Sequence, residues 1–108
     1  MPVAEFVLVY STFPDRDSAL KVGESLVRAH LAACANILAP QTSVYVWDGQ
    51  LTSAEEVAVL IKTRASLADA VITAARAAHP YTTPCFLILP VMGGDRDYLA
   101  WLRAQTKP

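Results

Sequence analysis

The sequence is short of cysteine, of net charge and of long apolar runs, and each shortage removes a class of molecule. Its only two cysteines, Cys34 and Cys85, stand singly in apolar surroundings, which is not the disulfide framework of a small secreted domain. Nine basic residues against ten acidic ones leave a formal net charge of −1. A polyanion would find no electrostatic footprint here, so no nucleic-acid partner is expected. The longest apolar stretches, such as Phe86 to Leu89, are far too short to cross a bilayer, and no membrane partner is expected. Met1-Pro2-Val3 is expected to lead straight into structured sequence without a cleavable leader, and the expected compartment is the cytoplasm. There is no phosphate-cradling glycine-rich loop, no nucleophile elbow, no Cys-x-x-Cys pair and no RNA-reading aromatic motif. No nucleophile–base pair can be assembled, so an enzyme is not expected. What remains is an apolar chain, 54% hydrophobic and 18% charged over 108 residues, which is enough for one domain, 1–108, with one core.

Along the chain, Glu5 to Thr12 is an apolar run of β-formers that ends in turn chemistry, and it reads as a buried strand. Pro14-Asp15 opens a helix with Ala19, Val22, Leu26 and Val27 at helical spacing, expected to run to His30 or Leu31. Ala33 to Ile37 begins a second strand and Ser43 to Trp47 continues it. Pro40 cannot donate to a ladder, so it marks a bulge or bend between the two halves. Asp48-Gly49 is a tight-hairpin signal, because both central positions of that turn need positive φ. A return strand carries Leu51, Val57, Val59 and Ile61. Ser66 to Asp69 has the form of a capping box for a second helix, which Pro80 stops. Thr83 to Val91 reads as an edge strand between prolines, and Gly93-Gly94-Asp95 introduces a short terminal helix. The order β-α-β-β-α-β is that of an α+β fold, the ferredoxin-like split β-α-β, here with an extended hairpin and a short C-terminal helix.

Both long helices follow right-handed crossovers and should cover one face of the sheet. Yet Phe6 to Val9, Val57 to Ile61 and Phe86 to Leu89 are apolar on both faces, where a half-solvated sheet alternates. A second chain covering the other face explains this. The alternative is that the bend at Pro40 folds the long hairpin over its own sheet.

Five blocks then resemble the CutA family of divalent-cation tolerance proteins: Leu31 to Asn36, Ser43 to Gly49, Glu56 to Thr63, His79 to Pro84, and Gly94 to Leu102. The resemblance implies a ferredoxin-like protomer in a homotrimer built through extended strands, like the nitrogen-regulatory signalling trimers. It also implies tolerance of divalent metals, copper above all, a response to metal ions, and no catalytic activity. The family's copper ligands include a cysteine at the end of the first strand, where this chain has Ser11. They also include a His-His pair, where this chain has Ala78-His79. A glutamate follows the family's Thr-Pro, where this chain has Cys85.

The metal-ligand candidates are therefore His79 and Cys85, which suit Cu(I) or Zn better than Cu(II). The plainer reading of His79 is a residue serving the helix C-terminus, and of Cys34 and Cys85 small buried hydrophobes. Ser11, His79, Tyr81, Cys85 and Trp47 are expected at one end of the sheet, with Cys34 at the other. Glu55 and Glu56 should face opposite ways. Lys62 and Arg64 share a face that suits an anion or plain solvation. Tyr81, Tyr98 and Trp101 line a pocket or pack the core. Beyond metal tolerance, the residues allow a small-molecule or protein-interaction module with ligands between subunits, or a trimeric scaffold.

Overall fold

The structure, a computed structural model, describes residues 4–107. The reading of Met1-Pro2-Val3 and the outer limits of the 1–108 domain lie outside the described residues. The elements are β1 (Phe6–Phe13), α1 (Arg16–Arg28), β2 (Cys34–Trp47), β3 (Gln50–Arg64), a 3-10 turn (Ala65–Leu67), α2 (Ala68–Ala78), β4 (Phe86–Val91) and α3 (Arg96–Gln105). The four strands form one antiparallel sheet in the order β2-β3-β1-β4, the order the split β-α-β pattern predicts.

The Asp15 carboxylate accepts the Ser18 N–H at 2.8 Å and starts α1. The helix stops at Arg28, short of the expected His30 or Leu31, because His30 turns left-handed at φ 60. The expected capping box at Ser66 does not form. Ala65 instead donates to the Glu5 carbonyl at 2.8 Å, so the chain passes through the tight 3-10 turn first. Leu67, with no side-chain acceptor, then precedes α2. Strand β4 starts at Phe86 and not at Thr83. The Pro80–Pro84 segment lacks N–H groups at both its ends and lies outside the ladder.

Pro40 does interrupt the β2–β3 register, which shifts between Ile37 and Pro40. Asp48 and Gly49 take φ of 50 and 73, as the two-residue hairpin requires. The hairpin does not fold back over its sheet. Its pairing continues from Pro40↔Val57 out to Trp47↔Gln50, past the end of β1 at Phe13↔Val57. Val44, Val46 and Leu51 on it are exposed.

One sheet face carries Val7, Val9, Phe13, Val57, Val59 and Ile61 against Ala19, Val22 and Leu26 of α1 and Val71 and Ala75 of α2. Gly23 lets α1 settle onto β2, since a Cβ there would lie 3.1 Å from Ala35 Cβ. The opposite face is covered only at one end, where Leu102 and Leu99 of α3 meet Phe6, Ala33 and Val91. Beyond α3, Leu87 remains 59% exposed and Leu89 43%. No helix of the described residues is long and apolar enough to cross a membrane.

Candidate functional site

Helix α2 ends at Ala78, which is exposed and offers no donor. His79 follows in an extended conformation (φ −77, ψ 137), which Pro80 imposes on the residue before it. This turns the imidazole inward. Its ring stacks on Phe13 with centroids 4.2 Å apart and meets Phe86 edge-on at 5.8 Å. The Tyr81 N–H reaches Nδ1 at 3.1 Å, and Nε2 lies 2.9 Å from the Thr12 carbonyl. A backbone N–H can only donate, so Nδ1 accepts and Nε2 carries the proton it gives to Thr12. Both ring nitrogens are thus engaged. Burial pushes the His79 pKa below the usual histidine range, against the Thr12 bond and the Glu56 carboxylate, which favour the cation.

Ser11 is wholly buried and its Oγ has no hydrogen-bond partner among the described residues. Its position alternates with Val9 and Phe13, so it faces the helix-covered core. A neutral hydroxyl there is a poor copper ligand.

Between the hairpin and the Pro80–Cys85 segment lies a cavity of about 440 Å³. Tyr45, Trp47 and Tyr81 supply aromatic walls, and Thr12, Glu56 and Cys85 its polar ones. The Tyr81 hydroxyl donates to Glu56 Oε2 at 2.8 Å. Burial and that carboxylate push the Tyr81 phenol far above its ordinary range. Burial first, and Glu56 second, also push up the Cys85 thiol, which keeps it protonated at neutral pH.

The structure therefore brings Trp47, Tyr81 and Cys85 to one end of the sheet, with His79 bonded to Tyr81 just behind. Cys34 sits opposite Lys62 on the far edge strand, and both cysteines are free. Lys62 and Arg64 tie down the terminal helix. Lys62 Nζ donates to the Tyr98 hydroxyl at 3.1 Å, and Arg64 bonds Thr106 and the Arg103 carbonyl. Tyr98 and Trp101 pair with each other on α3, away from the cavity. Glu55 is exposed and Glu56 buried, on opposite faces as expected. Glu56 is the site residue that sequence reasoning missed. Its one signal is its place in the sequence, the inner member of the Glu55-Glu56 pair, directly before the apolar run Val57 to Ile61. No three metal-ligating side chains gather among the described residues.

A family model described as CutA1 divalent ion tolerance protein matches residues 7–105. The chain is 42% identical over 106 residues to the divalent-cation tolerance protein CutA of Pectobacterium atrosepticum, covering 98% of this chain and 96% of that one. Among solved structures it superposes on CutA from Xylella fastidiosa with a TM-score of 0.93 at 36% identity, covering 96% of this chain and all of that one. It matches CutA1 from Shewanella sp. SIB1 with a TM-score of 0.95 at 33% identity, covering 99% and 100%.

Proposed function

This chain belongs to the CutA1 divalent ion tolerance family, and from that premise we propose that it serves the response to metal ions as a cytoplasmic homotrimer with a weak copper contact and no catalytic activity. The observation that carries the weak contact is the state of its two candidate ligands. Cys85 must lose a proton that burial and Glu56 help it keep. His79 must give up the Tyr81 N–H before Nδ1 has a lone pair to offer. Thiolate and imidazole together suit Cu(I), and both costs subtract from the affinity.

The trimer reading is supported by two unlike apolar surfaces on each chain, the Leu87/Leu89 sheet face and the Val44/Val46/Leu51 hairpin. A contact of one surface with the other is heterologous, and such contacts form a ring wherever the rotation between neighbours closes.

The test is an anaerobic Cu(I) titration against a competing chelator, comparing wild type with Cys85→Ala and His79→Ala. Either substitution should lower the affinity, and wild-type affinity should rise with pH as the thiol ionises. Unchanged affinity in both variants would remove copper from this site.

A further inference from the structure

We propose that α3 opens from the sheet as a unit, a cover over the apolar sheet end at Phe6, Ala33 and Val91, and that Arg64 is the clasp that holds it shut. The proposal goes beyond the copper and trimer readings and depends on neither.

The way α3 is fastened differs from that of the other helices. Ala19, Val22 and Leu26 anchor α1 by burial, and Val71 and Ala75 anchor α2. Of the ten residues of α3 only Leu102 is buried. It meets Phe6 and Ala33, with Leu99 and Val91 at the margin of a small cluster. Apolar burial on that scale holds a helix weakly. The approach from β4 runs through Gly93 and Gly94. A Cβ at Gly93 would meet nothing and one at Gly94 only the Leu99 side chain, so packing does not fix the joint.

Polar bonds make up the difference, and they converge on the end of the helix. The last four carbonyls of a helix have no partner within it. Here the Leu102 carbonyl accepts the Thr106 hydroxyl at 2.9 Å, and the Gln105 carbonyl accepts from His30 Nδ1 at 3.3 Å. The Arg103 carbonyl accepts from Arg64 Nη2. Arg64 also donates from Nε to Thr106 Oγ1 and from Nη2 to the Thr106 carbonyl, both at 2.9 Å. One guanidinium at the end of β3 thus holds three acceptors in and just beyond α3, and Thr106 is buried beneath it. Arg103 adds a two-bond pair with Glu5, but both side chains are half exposed, where such a pair contributes little. All these bonds lie within one chain and do not require an assembly. Opening would join Phe6, Ala33 and Val91 to the exposed Leu87 and Leu89 in one apolar face, since residues 87, 89 and 91 share a side of β4. The clasp therefore sets how much of that face is bare.

Native-state hydrogen exchange on the full-length protein, read by NMR, tests this. Amides of Leu99 to Gln105 should exchange at least about tenfold faster than those of Val57 to Ile61, through an opening that leaves the sheet intact. Arg64→Met keeps an apolar stem and removes the donors. It should speed α3 by about tenfold more and leave Val57 to Ile61 unchanged. Arg103→Met breaks the Glu5 pair but keeps the carbonyl that Arg64 holds, and should speed α3 less. Should Arg64→Met not fold, Arg64→Lys replaces it, since an ammonium lacks the fork that spans the three acceptors. The proposal is overturned if wild-type α3 exchanges in step with Val57 to Ile61. It is overturned equally if the Arg64 variant speeds both segments alike or neither, or if Arg103→Met matches it.

Discussion

Ser11 shows how a single atom stands out against a packed core. Along β1, residues 7, 9, 11 and 13 face the helices, and three of the four are apolar. The fourth buries a hydroxyl with no partner among the described residues, which costs about 1–3 kcal/mol against a bonded one. Ser11→Ala removes that atom and leaves only a small void, so it should raise stability by about 1 kcal/mol in urea unfolding at fixed chain concentration. A loss of similar size would mean that the hydroxyl is bonded, through a buried water for example. His79 gives a pH dependence whose sign follows from its neutral state. Its folded pKa lies below the unfolded value of about 6.5. Between the two, the unfolded chain binds more protons, so stability is fully present above about pH 6.5 and declines as pH falls through the folded pKa. His79→Gln should be less stable at pH 7 and show a flatter slope as pH falls below about 6.5. A slope as steep as wild type's would place the titration elsewhere.

At the scale of elements, the β2–β3 hairpin is the part most directly readable from residue types. Asp48-Gly49 demands positive φ and takes it at both positions. Pro40 lacks the N–H that a ladder needs, and the register breaks beside it. Gly49 has open space around a would-be Cβ, so Gly49→Val would suffer from backbone strain alone, about 1–3 kcal/mol. Differential scanning calorimetry should show a lower Tm, and an unchanged Tm would contradict the turn. Elements whose form depends on distant partners were not legible in the same way. Ser66 has the chemistry of a cap, yet the contact of Ala65 with the Glu5 carbonyl decides how the helix begins. The same holds within the site. Trp47, Tyr81 and Cys85 could be placed from strand order, because antiparallel neighbours share an end. The Tyr81 N–H on His79 and the Tyr81 hydroxyl on Glu56 depend on the path of an irregular proline-flanked segment, which no periodicity encodes. Arg64 and Lys62 read as solvated or anion-holding charges for the same reason, since their partners are two carbonyls and two hydroxyls at the far end of the chain.

At the scale of the molecule, the sheet has one satisfied face and one that α3 covers only in part. The extents of 45 × 31 × 23 Å reflect the hairpin that projects past the sheet. That projection exposes Leu51 at 78% and Val44 at 67%, while the uncovered sheet face exposes Leu87 and Leu89. Exposed apolar area of this kind, in two separate places, calls for partners. The two surfaces differ in shape, one a flat sheet face and the other a narrow two-stranded arm. A twofold contact would pair like with like, whereas an arm laid on a neighbour's sheet propagates around a ring. In the proposed trimer, light scattering should give a mass three times the 11.7 kDa chain. Leu87→Glu places a charge on the uncovered sheet face while leaving the helix-covered core untouched, and Leu51→Glu does the same on the arm. Each alone should shift the mass toward that of the monomer and make Tm depend more steeply on chain concentration, as mass action requires. If contact is between arm and sheet, a mixture of the two variants regains one intact surface pair per dimer but cannot close a ring of wild-type contacts. Its mass should stop short of three chains. A wild-type chain that sediments as a stable, folded monomer at micromolar concentration would leave both apolar surfaces unexplained and end the trimer reading.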